Sequence, residues 1–460
     1  VDIRAGHIQV AFWSDEHQRY QDKIIIYFDG QTDSNPSVGA LSTTSGTANF
    51  YPYEGQSIRA YGPDNGNSAE FGYSVAVSGD GKLFATGSRD WSGDRNYSTS
   101  TNVIFVNGNG EKTGKVVLFY EPNVRANNSS LKTEVSNGTS SNVNVLQGNA
   151  FADLSEDSNG RYELNKAGFN NSITDMSDNE FGYALSFNNG NRLAVSAPGE
   201  DHSNYDYKGS VYIYDCSGTA TGGLGSEKVN LICKIKNHDT SNDDEYFGSG
   251  LSLSGNGNYV AIGQPYKNIG SKTDSGIVQV FKIPEPETIT HVVTVQNNGS
   301  VNKYYIDGTE TPDLDFVVGN TYIFDLSDSS NAGGGGHPLH FSTTQDGTHG
   351  GGTKFTTGVT ATYDGESGPA LGNAGANITI TIQPYSPTLY YYCGNHSGMG
   401  GNSKIFLRTA TQVGGDISGN DQAEFNTSDT MRDDKALFGY SVDLNNAGDV
   451  LCVGAPQYGY

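Results

Sequence analysis

Basic residues are scarce in this chain. Lys and Arg total 27 against 51 Asp and Glu, giving a formal charge of −24 and a pI near 4.6. A phosphate backbone would be repelled rather than release counterions, which excludes nucleic acid as a partner. Long apolar runs are also missing, the longest being patches such as Val116 to Tyr120, so no membrane span is expected. Cysteine numbers four in 460 residues, too few for a disulfide-stapled scaffold. No nucleophile elbow, zinc-binding helix motif or triad is found, so no catalytic residue is assigned and the chain is read as a non-enzyme. The sequence opens on VDIRAG without an initiator Met or signal peptide, as a processed chain or a window from a longer product would.

What is abundant is turn and strand chemistry. Sixty-one glycines, 28 tyrosines and much Asn, Ser and Thr, with 17% charged residues, predict an all-β, turn-rich chain of two to four domains. Four stretches repeat one plan: FGYSVAVSGDGKLFATGS from Phe71, FGYALSFNNGNRLAVSAP from Phe181, FGSGLSLSGNGNYVAIGQP from Phe247 and FGYSVDLNNAGDVLCVGAP from Phe438. Each reads as a hairpin with a Gly/Asn turn. Alternation predicts one buried face carrying Val75 and Val77, Leu185 and Phe187, Leu251 and Leu253, and Val442 and Leu444. After the first three comes a strand opened by Gly114, Gly209 or Gly276, and a further strand precedes the next Phe-Gly. That makes four antiparallel strands per repeat. The polar segment between the first two repeats is either a decorated loop or a degenerate repeat.

These units resemble FG-GAP repeats, the blades of integrin-type β-propellers, in the versions common in large surface proteins of marine microbes and viruses. The resemblance implies propeller blades over residues 1–287 and 409–460. One departure is that the loop between the first two strands lacks the Asp-rich calcium site of the integrin type. The acid clusters at 198–206 and 241–245 are read as solvated loops, with cation binding as the alternative.

Residues 288–408 break the repeat. Eight strand-like runs, from HVVTVQ to KIFLR, with glycine-rich turns suit a Greek-key β-sandwich inserted between blades. Within it, Cys393, His396 and Met399 share one tight loop, and HPLHF places His337 and His340 upstream. The pattern resembles the metal loop of cupredoxins, the blue-copper fold. The resemblance implies one copper site with a Cys393 thiolate, His337 and His396 imidazoles and a weak Met399 thioether. His337 is taken rather than His340, which lies on the opposite strand face. His349 is read as making a turn or inter-loop hydrogen bond, and Tyr390 to Tyr392 as a strand with alternate rings buried. Paired His-x-His motifs, needed for a multicopper oxidase, do not occur.

Cys216 and Cys233 flank a Gly-rich turn, where either a cross-strand disulfide or two free, half-buried thiols fit. Cys452 reads as a small core residue. The chain ends are complementary, so Ile8–Ala11 is expected to pair with the strand around Leu451–Gly454, closing one blade from both termini. The alternative is a window from a longer array assembled head to tail. The function expected is structural or adhesive: an extracellular or cell-surface protein, or a virion-surface protein, that self-assembles into a filament or binds other surface proteins or glycans. The second reading is a copper-dependent electron-transfer protein docked through its propeller.

Overall fold

The structure is a computed structural model. It describes residues 8–13, 23–28, 56–61, 72–79, 83–89, 114–120, 143–147, 154–156, 162–164, 179–201, 207–216, 230–237, 245–363, 368–383, 386–419 and 436–456. Phe71, the Gly-rich turn after Cys216 and residues 202–206 and 241–244 of the acid clusters lie outside them. The protein is all-β, built from antiparallel and mixed sheets, and the one helical segment that lies wholly within the described residues is the 3-10 segment Ser329–Gly335. No helix among those residues is long and apolar enough to cross a membrane.

Three sheets repeat one plan, each antiparallel and each in chain order. The first holds Ser74–Val77, Leu83–Ser88, Lys115–Tyr120 and Val143–Gln147. The second holds Leu185–Phe187, Arg192–Ala197, Ser210–Asp215 and Asn230–Lys236, and the third Gly250–Leu253, Tyr259–Gln264, Ile277–Lys282 and Thr411–Gln412. A fourth unit contributes the hairpin Ser441–Leu444 with Leu451–Gly454. Turns form where the sequence offers residues that tolerate positive φ, such as Gly257 at 76° and Gly448 at 80°.

One contact ties each unit to the next. The glycine opening the third strand lies against the backbone of the following unit's Phe: Gly114 on Phe181, Gly209 on Phe247, Gly276 on Phe438. Turns of successive units also hydrogen-bond, Gly79 N to Asn188 O, Asn189 N to Gly255 O and Gly255 N to Asn445 O. The first strands are joined by serines: Ser186 Oγ accepts from Leu253 N at 2.9 Å, and Ser252 Oγ from Leu444 N at 3.0 Å. This crowding blurs the expected alternation. Leu251, Leu253 and Leu444 are buried, but Val75, Val77, Leu185, Phe187 and Val442 are only half-buried, and three of the four first strands show uniform burial in place of alternation.

The chain leaves the third sheet after Lys282 and returns to it at Thr411. Between them it forms two sheets. One runs Thr309–Glu310, Asn302–Ile306, Thr288–Asn297, Thr321–Asp325, Asn377–Thr381, Val359–Thr362, with a parallel pair at Thr288–Asn297 and Thr321–Asp325. The other runs Leu339–Ser342, Tyr390–Cys393, Gly401–Phe406, with Leu314–Val317 parallel to the last and Tyr162–Leu164 and Leu154–Glu156 extending it. Phe316 and Phe341 from the second sheet meet Tyr322 and Phe324 from the first, at centroid distances of 4.7 to 6.4 Å. Burial of each such ring contributes roughly 1.5–3 kcal/mol. Arg408 fastens this insertion to its surroundings: its guanidinium donates to Val318 O at 3.0 Å and Pro284 O at 3.3 Å, and its amide to Ile232 O.

One open alternative is decided and three expectations are corrected. Of the two readings left open for Cys216 and Cys233, the structure takes the one without a disulfide, and both thiols are fully buried rather than half-buried. They belong to neighbouring strands, but the register sets Cys233 opposite Ile213 and leaves Cys216 beyond the Asp215–Asn230 pair, several rungs away. Ile8–Trp13 pairs with Lys23–Phe28, and Leu451–Gly454 only with Ser441–Leu444 among the described residues, so the expected closing pair is not formed. Cys452 is exposed, in a strand whose partner among the described residues is Ser441–Leu444 alone. Tyr391 and Tyr392 are both buried, since the loop after Ser342 closes over the Tyr392 ring with Gly347 against it and His349 at its edge.

Candidate metal centre

Two loops meet at one end of the second sheet of the insertion. The first carries His337, whose amide donates to Asn331 O at 2.8 Å as the chain leaves the 3-10 segment. Asn331 is itself anchored, its side-chain nitrogen donating to Val293 O at 2.8 Å. The second loop begins at Cys393. The ladder pairs Leu339 with Cys393, and Gly394 N donates to Pro338 O at 2.8 Å, so the thiol arrives beside His337. Asn395 fixes the loops together by donating to Gly335 O and Gly336 O at 3.2 and 3.1 Å.

The result is a compact donor group. Cys393 Sγ lies 3.8 Å from His337 Nδ1 and 3.6 Å from His396 Nδ1, and ligand atoms of the three residues all fall within 4.8 Å of one another. Cys393 and His337 are buried, and His396 is half-exposed. Burial, with His396 close by as the lesser cause, holds His337 below the usual imidazole range, which favours the neutral, ligating form. Two imidazoles and a thiol form a soft set that suits copper or zinc rather than calcium or magnesium.

Met399 is buried on the same loop, and its carbonyl accepts the Tyr304 amide at 3.1 Å. Tyr304 is fully buried, and its hydroxyl donates to His337 O at 3.0 Å. Its own ionisation is pushed well up by burial and by the adjacent Cys393. A single residue, through its backbone amide and its hydroxyl, thus straps the His337 segment to the Met399 segment. Gly398 N donates to Asp346 Oδ1 at 2.8 Å, and Lys303 Nζ donates to Gly398 O. Tyr304, Asn331 and Asp346 escaped sequence reasoning, because each reaches the site from another strand or loop. Asn395 alone carried a signal, its place inside the ligand loop.

His340 stays outside the group. It pairs across the ladder with Tyr392, and its Nδ1 lies 2.9 Å from the Tyr363 hydroxyl. His349 makes the inter-loop bond expected of it, to Cys393 O at 3.0 Å. The acid clusters are only in part the solvated loops expected, since Asp201 is exposed but two of their glutamates are buried and ion-paired. Glu200 is buried against Lys234 and Tyr212, and Glu245 against Lys208 and Lys267. No protein-family model matches the chain, and no curated protein matches it.

Proposed function

We propose that the chain is a structural or adhesive surface protein whose repeated sheets are blades of a β-propeller carrying a cupredoxin-like module that binds one copper ion. The observation that carries the copper reading is the convergence of His337 Nδ1 and His396 Nδ1 on the buried Cys393 sulfur. His337, Cys393 and His396 would hold the ion, with Met399 as a weaker fourth donor. Copper in such a set supplies one-electron redox chemistry when bound. The propeller reading is supported by the glycine-on-phenylalanine contact made three times between successive units. The copper module then sits between the third and fourth strands of one blade.

Recognition at a cell or virion surface, by self-assembly, by other surface proteins or by glycans, fits the tyrosines that follow Phe-Gly. Tyr73 and Tyr440 are exposed at equivalent positions, and the Tyr73 ring lies 5.1 Å from that of Tyr183. The second reading, electron transfer, draws on His396, the half-exposed ligand. Titration of the metal-free protein with Cu(II) tests the site: one equivalent should raise an intense thiolate-to-copper band in the visible that Cys393→Ser abolishes. Binding without that band would overturn the ligand set. Rapid reversible reduction by a protein donor would move the balance to electron transfer, and protease-sensitive display on intact cells or particles to the surface role.

A further inference from the structure

Where the second and third repeated units meet, a fully buried carboxylate collects four side chains. Lys267 Nζ lies 2.6 Å from Glu245 Oε1, while Asn237 Nδ2 and Gln264 Nε2 donate to Oε2 at 2.6 Å and Lys208 Nζ stands 3.4 Å from that same oxygen. Lys208, Asn237 and Glu245 are all buried. The backbone explains the meeting. Ser210 pairs with Lys236, and the Asn237 amide donates to Gly209 O, so Asn237 closes the ladder beside Lys208. Tyr246 N donates to Tyr207 O at 3.1 Å, which brings the next residue back, Glu245, alongside Lys208.

These three groups have complementary chemistry. A lysine is a nucleophile once deprotonated, a primary carboxamide is an acyl donor, and a carboxylate between them can carry protons. Fixing them side by side replaces an encounter with an intramolecular step, and burial keeps water from competing. We propose that Lys208 and Asn237 join in an intramolecular isopeptide bond, with Glu245 as the proton carrier.

The steps balance without an oxidant or co-reactant. The Lys208 ammonium gives a proton to Glu245, and the free amine attacks Cγ of Asn237. The Nζ–Cγ bond forms and the Cγ–Nδ2 bond breaks. The proton held by Glu245 and the one shed by the attacking nitrogen both pass to the leaving nitrogen, which departs as ammonium. Glu245 ends as the carboxylate it began as. The burial also favours the product: Lys208 is 1% exposed, and turning a buried ammonium into a neutral amide removes the cost of keeping that charge from water. The neighbouring Glu200 provides an internal contrast. It receives Lys234 Nζ at 2.6 Å and the Tyr212 hydroxyl at 2.5 Å, an ion pair and a hydrogen bond in which neither donor is an acyl group.

Intact-mass spectrometry of the full chain, followed by tryptic mapping, tests the bond. The expected mass is one ammonia below that of the sequence, with a branched peptide joining Lys208 to Asn237 and no cleavage after Lys208. Lys208→Met should restore the full sequence mass, and Lys267→Met should keep the loss. Should Lys208→Met not fold, the map of the unaltered protein decides alone. An unchanged mass overturns the proposal, as does an ammonia loss traced to another asparagine while trypsin still cuts after Lys208.

Discussion

Glycine is abundant in both the repeated units and the inserted module, yet at Gly276 and at Gly398 it answers different constraints. In the repeats it marks where one unit's backbone must touch the next: Gly276, at φ 80°, lies so close to Phe438 that a Cβ would collide with its carbonyl oxygen. In the module, Gly398 adopts φ 71° in the ligand loop with open space around it. The first is fixed by packing and conformation together, the second by conformation alone. Repetition therefore builds stability through interfaces, whereas the module closes its own aromatic core and leaves its loops to hold chemistry.

The sharpest way to break this comparison is to add one methyl group to each. Gly276→Ala combines backbone strain with a clash that backbone atoms cannot relieve, and is expected to cost roughly 3–5 kcal/mol. Gly398→Ala carries only the left-handed penalty, about 1–2 kcal/mol. Urea unfolding, followed by fluorescence and by the copper band separately, reads both. Equal costs would remove the distinction between the two uses of glycine.

The junction between the regions gives the next effect. Arg408 is buried and supplies hydrogen bonds to carbonyls on both sides of the joint, so Arg408→Met should lower stability by about 2–3 kcal/mol. Glu285 pairs with Arg192 at 3.2 Å, but its side chain is 55% exposed, and Glu285→Gln should cost under about 1 kcal/mol. If the two variants unfold at the same urea concentration, the joint is held by something other than the buried guanidinium.

Within the module, Tyr304→Phe removes the hydroxyl that holds the His337 segment, while the backbone bond to Met399 O is kept. The expected loss is about 1–2 kcal/mol in the metal-free protein, from a buried carbonyl left unsatisfied. Copper affinity should fall about 10- to 100-fold, the usual cost of disturbing groups behind the ligands. Tyr73→Phe, on the exposed surface of the repeats, should leave both quantities unchanged, as isothermal titration can check.

What could be read from the sequence follows the range of each interaction. Hairpins such as Gly250–Gln264 announce themselves through alternation and Gly/Asn turns, and all eight strand-like runs of the insertion become strands. His337 could be preferred over His340 because strand periodicity separates their faces. The short strands Thr309–Glu310 and Val359–Thr362 carried no such pattern, since their pairing is imposed by neighbours. Ser186 and Ser252 looked like solvent-facing positions, yet each bonds the first strand of the following unit, a partner that alternation cannot reveal. Whether Cys216 and Cys233 pair stayed open for a related reason: strand adjacency was legible, but register was not.

The smallest expected effect is a pH dependence, and it belongs to one region. All described histidines lie in the inserted module, so a stability change near neutral pH should report on it rather than on the described repeats. His337 is held below its ordinary value of 6.5, first by burial and then by His396. In the window beneath 6.5 the unfolded chain takes up a proton at this residue while the folded chain does not. The stability associated with neutral His337 is therefore fully present above 6.5 and is lost as pH falls towards the folded value, below which no further change comes from this group. Thermal melting of the metal-free protein should show a modest fall in Tm across that window, and His337→Gln should flatten it. Bound copper demands the neutral imidazole and should move the fall to lower pH. An unchanged slope in His337→Gln would mean that burial does not set this residue's proton, and the module would lose the feature that most distinguishes its chemistry from that of the repeats.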